Sequence, residues 1–483
     1  MKKNIFYNFL LTGSNLVFPL LTFPYLSRIL GASGMGICNF ILSYGQNYIV
    51  IAALGIPVYG VREIAKINED ESKRSKLFFE ILTVHLLFTF LLLLIYIISV
   101  FSYSDFQNYK TLALLGGSFI LLNVFSIEWL FTGLNNFKYI TIRSLVVRSI
   151  SVIAILLFVK KADDFFIFFV ILVATTLITV IINVYYARTF ISTHVKLTAK
   201  GILSHVKPVF ILGVYMVLTS IYTILPTTLL GFLSTKESVG YYFSANRIIR
   251  MVLSLFTAFT TVLVPRLNMA AEKKDGEYVA LVNKSLNVVI TFGIPTTLFI
   301  CVTAKPLMLL LAGKGFMNSI PALQIMAPVV LIVAFAQVFV FLILSVNRKD
   351  KEMVTLSVIG MIISVLINLI FIPIYAEKAT AFSLVFSELF VTVAAFVLSK
   401  KLLAFGVPYK TIFLNIICPI PFIFLTYLFE KLSTNHFIVL CLSSLFCGLY
   451  FLFYQLFIIK DTFVIDTLNS FLLKYKKKVI FSK

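Results

Sequence analysis

Tyr241-Tyr242-Phe243-Ser244-Ala245-Asn246-Arg247-Ile248-Ile249-Arg250-Met251 opens an apolar run that continues through Leu253, Leu255, Phe256, Phe259, Val262, Leu263 and Val264. The run is long enough to cross a bilayer, yet it holds two arginines. Being three residues apart, Arg247 and Arg250 share one face of a helix. A charge at membrane depth costs at least ~2.5–3.5 kcal/mol on insertion scales. That cost is tolerated where the arginines face a protein interior, a partner anion or a water-filled cavity. The rest of the chain is therefore read for what builds such an environment.

Of the 483 residues, 60% are hydrophobic and 13% charged, about half the charged share of a soluble domain. The composition is that of an all-α polytopic membrane protein. A formal net charge of +21 would point to nucleic acid in a soluble chain. In a membrane chain the excess of lysine and arginine in cytoplasmic loops explains it, and no nucleic acid is expected. Cys38, Cys301, Cys418, Cys441 and Cys447 lie in or beside apolar runs without metal spacing, so buried free thiols are expected. Met1-Lys2-Lys3 before an apolar run imitates a signal peptide. No small-x-small site closes it, so it reads as a retained first span.

A span needs ~20 mostly apolar residues, and about fourteen such stretches follow one another. The first two lie near 5–29 and 36–59 and the fourth near 111–133. The seventh and eighth lie near 208–233 and 239–264, the eleventh and twelfth near 353–374 and 379–399, and the last near 436–459. With the N-terminus inside, the inner segments hold about 28 lysines and arginines, and the outer loops only about seven: Lys110, Lys160, Lys161, Lys236, Lys314, Lys378 and Lys431. Both termini are then cytoplasmic. No nucleotide loop, metal-spaced histidines or nucleophile–base arrangement is present, so no catalytic residue, metal or cofactor is expected and the chain is not read as an enzyme.

Span 1 ends Leu30-Gly31 and span 2 opens Gly36 to Phe40; span 7 ends Leu230-Gly231 and span 8 opens Gly240 to Phe243. The copies are six spans apart and share one orientation, which implies two six-helix lobes related by a parallel pseudo-two-fold axis. The expected division is an N-terminal lobe at 1–195, a C-terminal lobe at 196–403, two additional transmembrane helices at 404–460 and a basic cytoplasmic tail at 461–483. Prolines 19, 24, 226, 295, 328 and 373 lie within spans and can kink them.

Three stretches carry a family resemblance: Ser27-Arg28-Ile29-Leu30-Gly31; Glu128-Trp129-Leu130-Phe131-Thr132-Gly133-Leu134-Asn135-Asn136-Phe137-Lys138-Tyr139-Ile140-Thr141; and Asn368-Leu369-Ile370-Phe371-Ile372-Pro373 with Ala379-Thr380-Ala381 and Ser387-Glu388. With Gly240-Tyr241-Tyr242 they resemble an oligosaccharide flippase of the polysaccharide-transport family. That family comprises O-antigen and capsule repeat-unit translocases of the multidrug/oligosaccharidyl-lipid/polysaccharide exporter superfamily. The resemblance implies two lobes around a central cationic cavity, alternating access and an inner-membrane location. It also implies undecaprenyl-diphosphate-linked glycan as cargo, with membrane lipid as a contact, and the pathway's polymerase and chain-length regulator as partners. Independently, a diphosphate cannot cross hydrocarbon, and arginine can grip it bidentately.

On this reading Arg247 and Arg250 bind the diphosphate or an acidic sugar, the alternative being a structural pair with a carboxylate or with carbonyls. Arg28 lines the outer mouth of the cavity or snorkels to the interface. Glu128 and Arg143 are equidistant from the turn at Asn135-Asn136 and are expected to form a structural ion pair, with gating or proton coupling as the sharper alternative. Arg148, at i+5, points at another element. Lys305, beside Pro306, snorkels or belongs to an outer gate. Glu388 and Asn368 complete the candidates for gating or coupling. The first span lacks the acids that drug exporters of the superfamily use, so coupling to an H+ or Na+ gradient stays open. The rival readings are a drug/cation antiporter, a lipid II-type flippase, and a membrane-embedded polymerase or ligase. The short outer loops argue against the last.

Overall fold

The computed structural model describes residues 2–67, 70–273, 276–406 and 408–474. Among these residues every regular element is a helix. They form two compact units. The first holds the chain through Phe243 together with Met361–Thr380, and the second holds Ser244–Gly360 and the chain from Ala381. The first contains α1 (Lys2–Ala53), α2 (Ile56–Lys66), α3 (Glu71–Ser102), α4 (Lys110–Val124), α5 (Glu128–Gly133), α6 (Phe137–Phe158), α7 (Phe165–Ala187), α8 (Ala199–Leu233) and the start of α9 (Lys236–Lys273). The second continues α9 and adds α10 (Glu277–Leu311), α11 (Ser319–Met326), α12 (Val329–Gln337), both ends of α13 (Asp350–Leu402), α14 (Tyr409–Ile417), α15 (Ile420–Leu432), α16 (His436–Phe453) and α17 (Thr462–Lys474). α12 and α16 each run on into a π-helical stretch, Val338–Ser345 and Tyr454–Ile459.

Eleven of the described segments are long and apolar enough to cross a membrane, which makes this a multi-pass membrane protein. Two of them are pairs of spans. α1 breaks at Gly31 (φ 64, ψ −175), a conformation almost confined to glycine. α13 breaks at Ala376 (φ 48, ψ −125), three residues after Pro373. α9 has 38 residues, about 57 Å at 1.5 Å each. Dividing α1 and α13 and adding α9 brings the eleven to the approximate fourteen read from sequence.

Two spans bend where the sequence reading ran straight through. α1 ends at a left-handed Leu54 (φ 42), and α2 begins at Ile56 with Pro57 in its first turn. α4 ends before a left-handed Ile127 (φ 42), and α5 follows. A left-handed residue costs about 1–2 kcal/mol. The return is the packing of α2 on α5. Gly60 lies against the Trp129 ring so closely that a Cβ would come 2.5 Å from Cε3, and Gly133 lies against Ile64 in the same way. Phe78 stacks on Trp129 with centroids 5.5 Å apart. Ile64, Leu130 and Phe131 are wholly buried. Burial of such side chains is worth ~1.5–3 kcal/mol each where water is the alternative. The acid–tryptophan stretch therefore acts as a packing element.

The second half of α1 and α8 lie antiparallel over their whole shared length. Phe40 packs on Gly231. The Asn47 amide donates to Thr228 Oγ1 at 2.9 Å, and the Gly55 N–H donates to the Val209 carbonyl at 3.2 Å. In the second unit α10 is the central helix, packed by α11, α12, α14, α15 and α16. Thr291 on α10 donates to Asp461 Oδ2 at 3.0 Å, and Asp461 Oδ1 caps α17 at the Val464 N–H, also 3.0 Å. The segment expected to be a tail thus begins with a docked helix. Residues 475–483, with Lys476, Lys477, Lys478 and Lys483, lie outside the described residues. All five cysteines are free thiols. Cys441 is exposed, contrary to the expectation of burial, because it sits on the outward face of α16.

Candidate functional site

α9 is two-faced around its arginines. Ala245, Ile248 and Ile249 are buried on one side. On the other side, 100° per residue around the axis, Arg247 is half-buried and Arg250 exposed. Glu388 on α13 is half-buried and within electrostatic reach of Arg250. Both cations thus lie on the less buried face of a membrane-length helix, and Glu388 lies near Arg250.

Arg143 behaves differently. It is buried and donates to Glu128 Oε1, to Asn183 Oδ1 at 2.5 Å and to Ser144 Oγ at 3.0 Å. Asn183 Oδ1 also accepts from the Tyr139 hydroxyl at 2.9 Å, and its amide donates to the Ser126 carbonyl. The ion pair anticipated from equal distances to the Asn135-Asn136 turn is present. It exists because Asn136 caps α6 at the Tyr139 N–H and brings α5 and α6 side by side. Arg148, as its spacing suggested, reaches another element: its Nη1 donates to Ser14 Oγ on α1 at 2.5 Å.

The remaining candidates are dispersed. Arg28 is exposed on α1, one turn before the Gly31 break. Lys305 is exposed on α10 beside the buried Pro306. Asn368 on α13 is wholly buried, and its amide donates to the Ser364 carbonyl at 2.7 Å. Arg28, Glu128, Arg143, Arg148 and Asn368 belong to the first unit; Arg247, Arg250, Lys305 and Glu388 belong to the second.

Sequence reasoning passed over two features of the first unit. The glycines of the repeated pattern meet each other. A Cβ on Gly36 would stand 1.7 Å from the Lys236 carbonyl oxygen, and one on Gly240 would stand 2.1 Å from that of Ala32. The crossing is of the small-xxx-small kind that lets membrane helices touch through their backbones. Beside it Lys236, counted in the sequence as an outer-loop charge, reaches inward. Its Nζ donates to the Gly231 carbonyl at 2.5 Å, lies 4.0 Å over the Phe40 ring and is 3.6 Å from Asp105 Oδ1. Burial pushes its ammonium below the ordinary lysine range, and Asp105 partly offsets this. The second feature is His205, one of four scattered histidines in the sequence, which is buried against Glu80 and Tyr59. Gly201 and His205 share one helix face, but the sequence carries no signal that places Glu80, 125 residues away, against them.

Residues 1–271 match the model of a family described as "Polysaccharide biosynthesis protein". The chain belongs to that family. Its matched part contains Arg28, Glu128, Arg143, Arg247 and Arg250. A protein of Escherichia coli (strain K12) named "Putative O-antigen transporter" is 24% identical over 406 residues, 83% of this chain and 98% of that one. A protein of Shigella dysenteriae with the same name is 22% identical over 396 residues, 81% of this chain and 98% of that one. Among solved structures, "Lipid II flippase MurJ, inward closed conformation" superposes with a TM-score of 0.76 at 16% identity, over 95% of this chain and 99% of the other. An inward-facing multidrug resistance MATE transporter of the MOP superfamily superposes with a TM-score of 0.59 at 11% identity, over 79% and 97%. The two superpositions establish a shared fold.

Proposed function

We propose that the protein moves undecaprenyl-diphosphate-linked oligosaccharide repeat units from the cytoplasmic to the periplasmic leaflet of the inner membrane by alternating access through a cationic cavity, and that Arg28, Arg247 and Arg250 receive the diphosphate. The observation that carries this reading is the arginine face of α9. Two guanidinium groups sit within an otherwise apolar stretch, on the side the helix does not bury. Charge-assisted hydrogen bonds to phosphate contribute ~1.5–3 kcal/mol each, enough to draw an anionic headgroup while the polyprenyl tail stays in lipid. The names of the two O-antigen relatives support the same cargo class, as does the flippase with which the fold superposes. On this reading the first six and next six spans are two lobes, both termini are cytoplasmic, and the product passes to a polymerase with its chain-length regulator. The protein carries no catalytic step of its own.

The test is complementation of a deletion strain at matched expression. Arg247→Ala and Arg250→Ala together should reduce surface polysaccharide to about a tenth or less, the loss of two charge-assisted contacts. Full surface polysaccharide in the double variant would remove the arginines from the mechanism. Normal glycan on deletion, with altered drug susceptibility, would move the protein to the antiporters.

A further inference from the structure

The buried cluster of Glu80, His205 and Tyr59 lies in the first unit. The three residues come from α3, α8 and α2 and are 5%, 9% and 6% exposed. His205 Nδ1 is 2.8 Å from the Tyr59 hydroxyl, and Nε2 is 3.1 Å from Glu80 Oε2. Glu80 Oε1 is buried without a hydrogen-bond partner among the described residues. It lies against Gly201, where a Cβ would stand 2.0 Å away. Gly201 is in the first turn of α8, one turn before His205 on the same face, and Thr198 caps its N–H at 3.2 Å. The carboxylate is therefore held between an imidazole and the partly positive end of a helix, in space that only glycine leaves open.

The cluster can hold or release one proton without losing either hydrogen bond. With the imidazole charged, Nε2–H donates to Glu80 and Nδ1–H donates to the tyrosine oxygen, and the net charge is zero. With the imidazole neutral, Nε2–H still donates to Glu80 while the tyrosine O–H donates to Nδ1, and the net charge is −1. Tyrosine serves both states because its hydroxyl is donor and acceptor. The neutral total suits burial; the uncompensated carboxylate does not.

We propose that Tyr59, His205 and Glu80 form a proton-binding site that holds α8 against α2 and α3 when one proton is bound and releases it when the proton is lost. The site sits at the end of the α1–α8 seam where Gly55 and Gly213 touch backbone to backbone, so release opens that end. The other acidic, basic and histidine side chains on the surrounding helices are Arg62, Glu63 and Lys66 on α2, Glu71, Lys73, Arg74, Lys76 and His85 on α3, and Lys200 and Lys207 on α8. Arg62 and Lys66 pair with Glu63, Arg74 donates to the Phe190 carbonyl, and His85 is buried elsewhere on α3. Among the described residues, none of these is hydrogen-bonded to the three. The proton-dependent hold on α8 makes the switch responsive to a proton gradient. Its use as a gate rests on the transport reading above; its proton binding does not.

Hydrogen exchange of the full-length protein in lipid nanodiscs, corrected for intrinsic rates, reads the switch directly. Protection of residues 200–213 and 55–61 should fall several-fold as the pH is raised, because the proton-bound form is the one that holds the helices together. Glu80→Gln removes the carboxylate that holds the imidazolium, so protection should no longer fall as the pH is raised. Tyr59→Phe keeps the buried pair but leaves the charged imidazole's Nδ1–H without an acceptor, so its transition should move to lower pH. A pH-independent native profile, a Glu80→Gln profile equal to the native one, or an unshifted Tyr59→Phe would overturn the proposal. Arg247→Ala with Arg250→Ala should leave the exchange profile unchanged, so failure of the diphosphate assignment and failure of the proton site are told apart.

Discussion

Arginine at membrane depth is handled in opposite ways by the two units. In the first, Arg143 is buried and its Nη1 and Nη2 donate to Asn183, Glu128 and Ser144, joining α5, α6 and α7. In the second, Arg250 is exposed on α9 and lies within the field of Glu388. The contrast shows that a charge in a greasy run does not by itself mark a binding site. What separates the two cases is how many acceptors the protein itself supplies, and that number becomes visible only when the spans are brought together.

The sharpest way to break the contrast is to remove each arginine and follow unfolding in detergent. Arg143→Met should cost about 2–3 kcal/mol, the loss of charge-assisted bonds at a buried site, and lower the unfolding temperature clearly. Arg250→Ala should stay within about 0.5 kcal/mol while losing export. Equal stability losses would erase the distinction. Next in size are the glycine contacts. Gly36→Ala or Gly240→Ala drives a methyl group into backbone that no rotamer can clear, and about 2–3 kcal/mol is expected. Gly60→Ala meets a tryptophan ring that can shift, and about 1–2 kcal/mol is expected. Thermal unfolding of the three variants should rank them in that order.

A smaller pair of effects compares the two helix breaks. Gly31 has open space around its missing Cβ, so Gly31→Ala isolates the backbone cost of φ +64, about 1–2 kcal/mol. Ala376→Gly should work in the opposite sense and stabilise by at most about 1 kcal/mol. The smallest effect is electrostatic. Burial lowers the Lys236 ammonium below the ordinary lysine range, so the packed state binds fewer protons than the separated one as pH rises through that window. Stability at the Gly36–Gly240 crossing should therefore rise slightly with alkaline pH, and Lys236→Met should abolish the slope. Cross-linking rates between cysteines placed on either side of the crossing would measure it.

Much of this was legible in the chain. Leu30-Gly31 and the interval between Pro373 and Ala379 marked both helix breaks, because glycine and proline act locally. Glu128 and Arg143 could be paired because a short turn fixes the register of adjacent helices. The bends at Leu54 and Ile127 were not legible. Each is a poor local conformation held by a partner from elsewhere, Trp129 for Gly60 and Ile64 for Gly133. His205 and Glu80 are 125 residues apart, and nothing in either neighbourhood names the other. Arg247 and Arg250 stood out because insertion cost is a property of the run itself. Their place on the less buried face was settled only by which side of α9 is buried.

The central claim is that the arginine face of α9 receives a diphosphate. Affinity of the purified protein for undecaprenyl diphosphate, compared between the native chain and the Arg247→Ala, Arg250→Ala double variant, tests it most directly. The account predicts that the double variant binds at least about tenfold more weakly while unfolding at nearly the native temperature. Equal affinity in the two proteins, with folding intact, would contradict it.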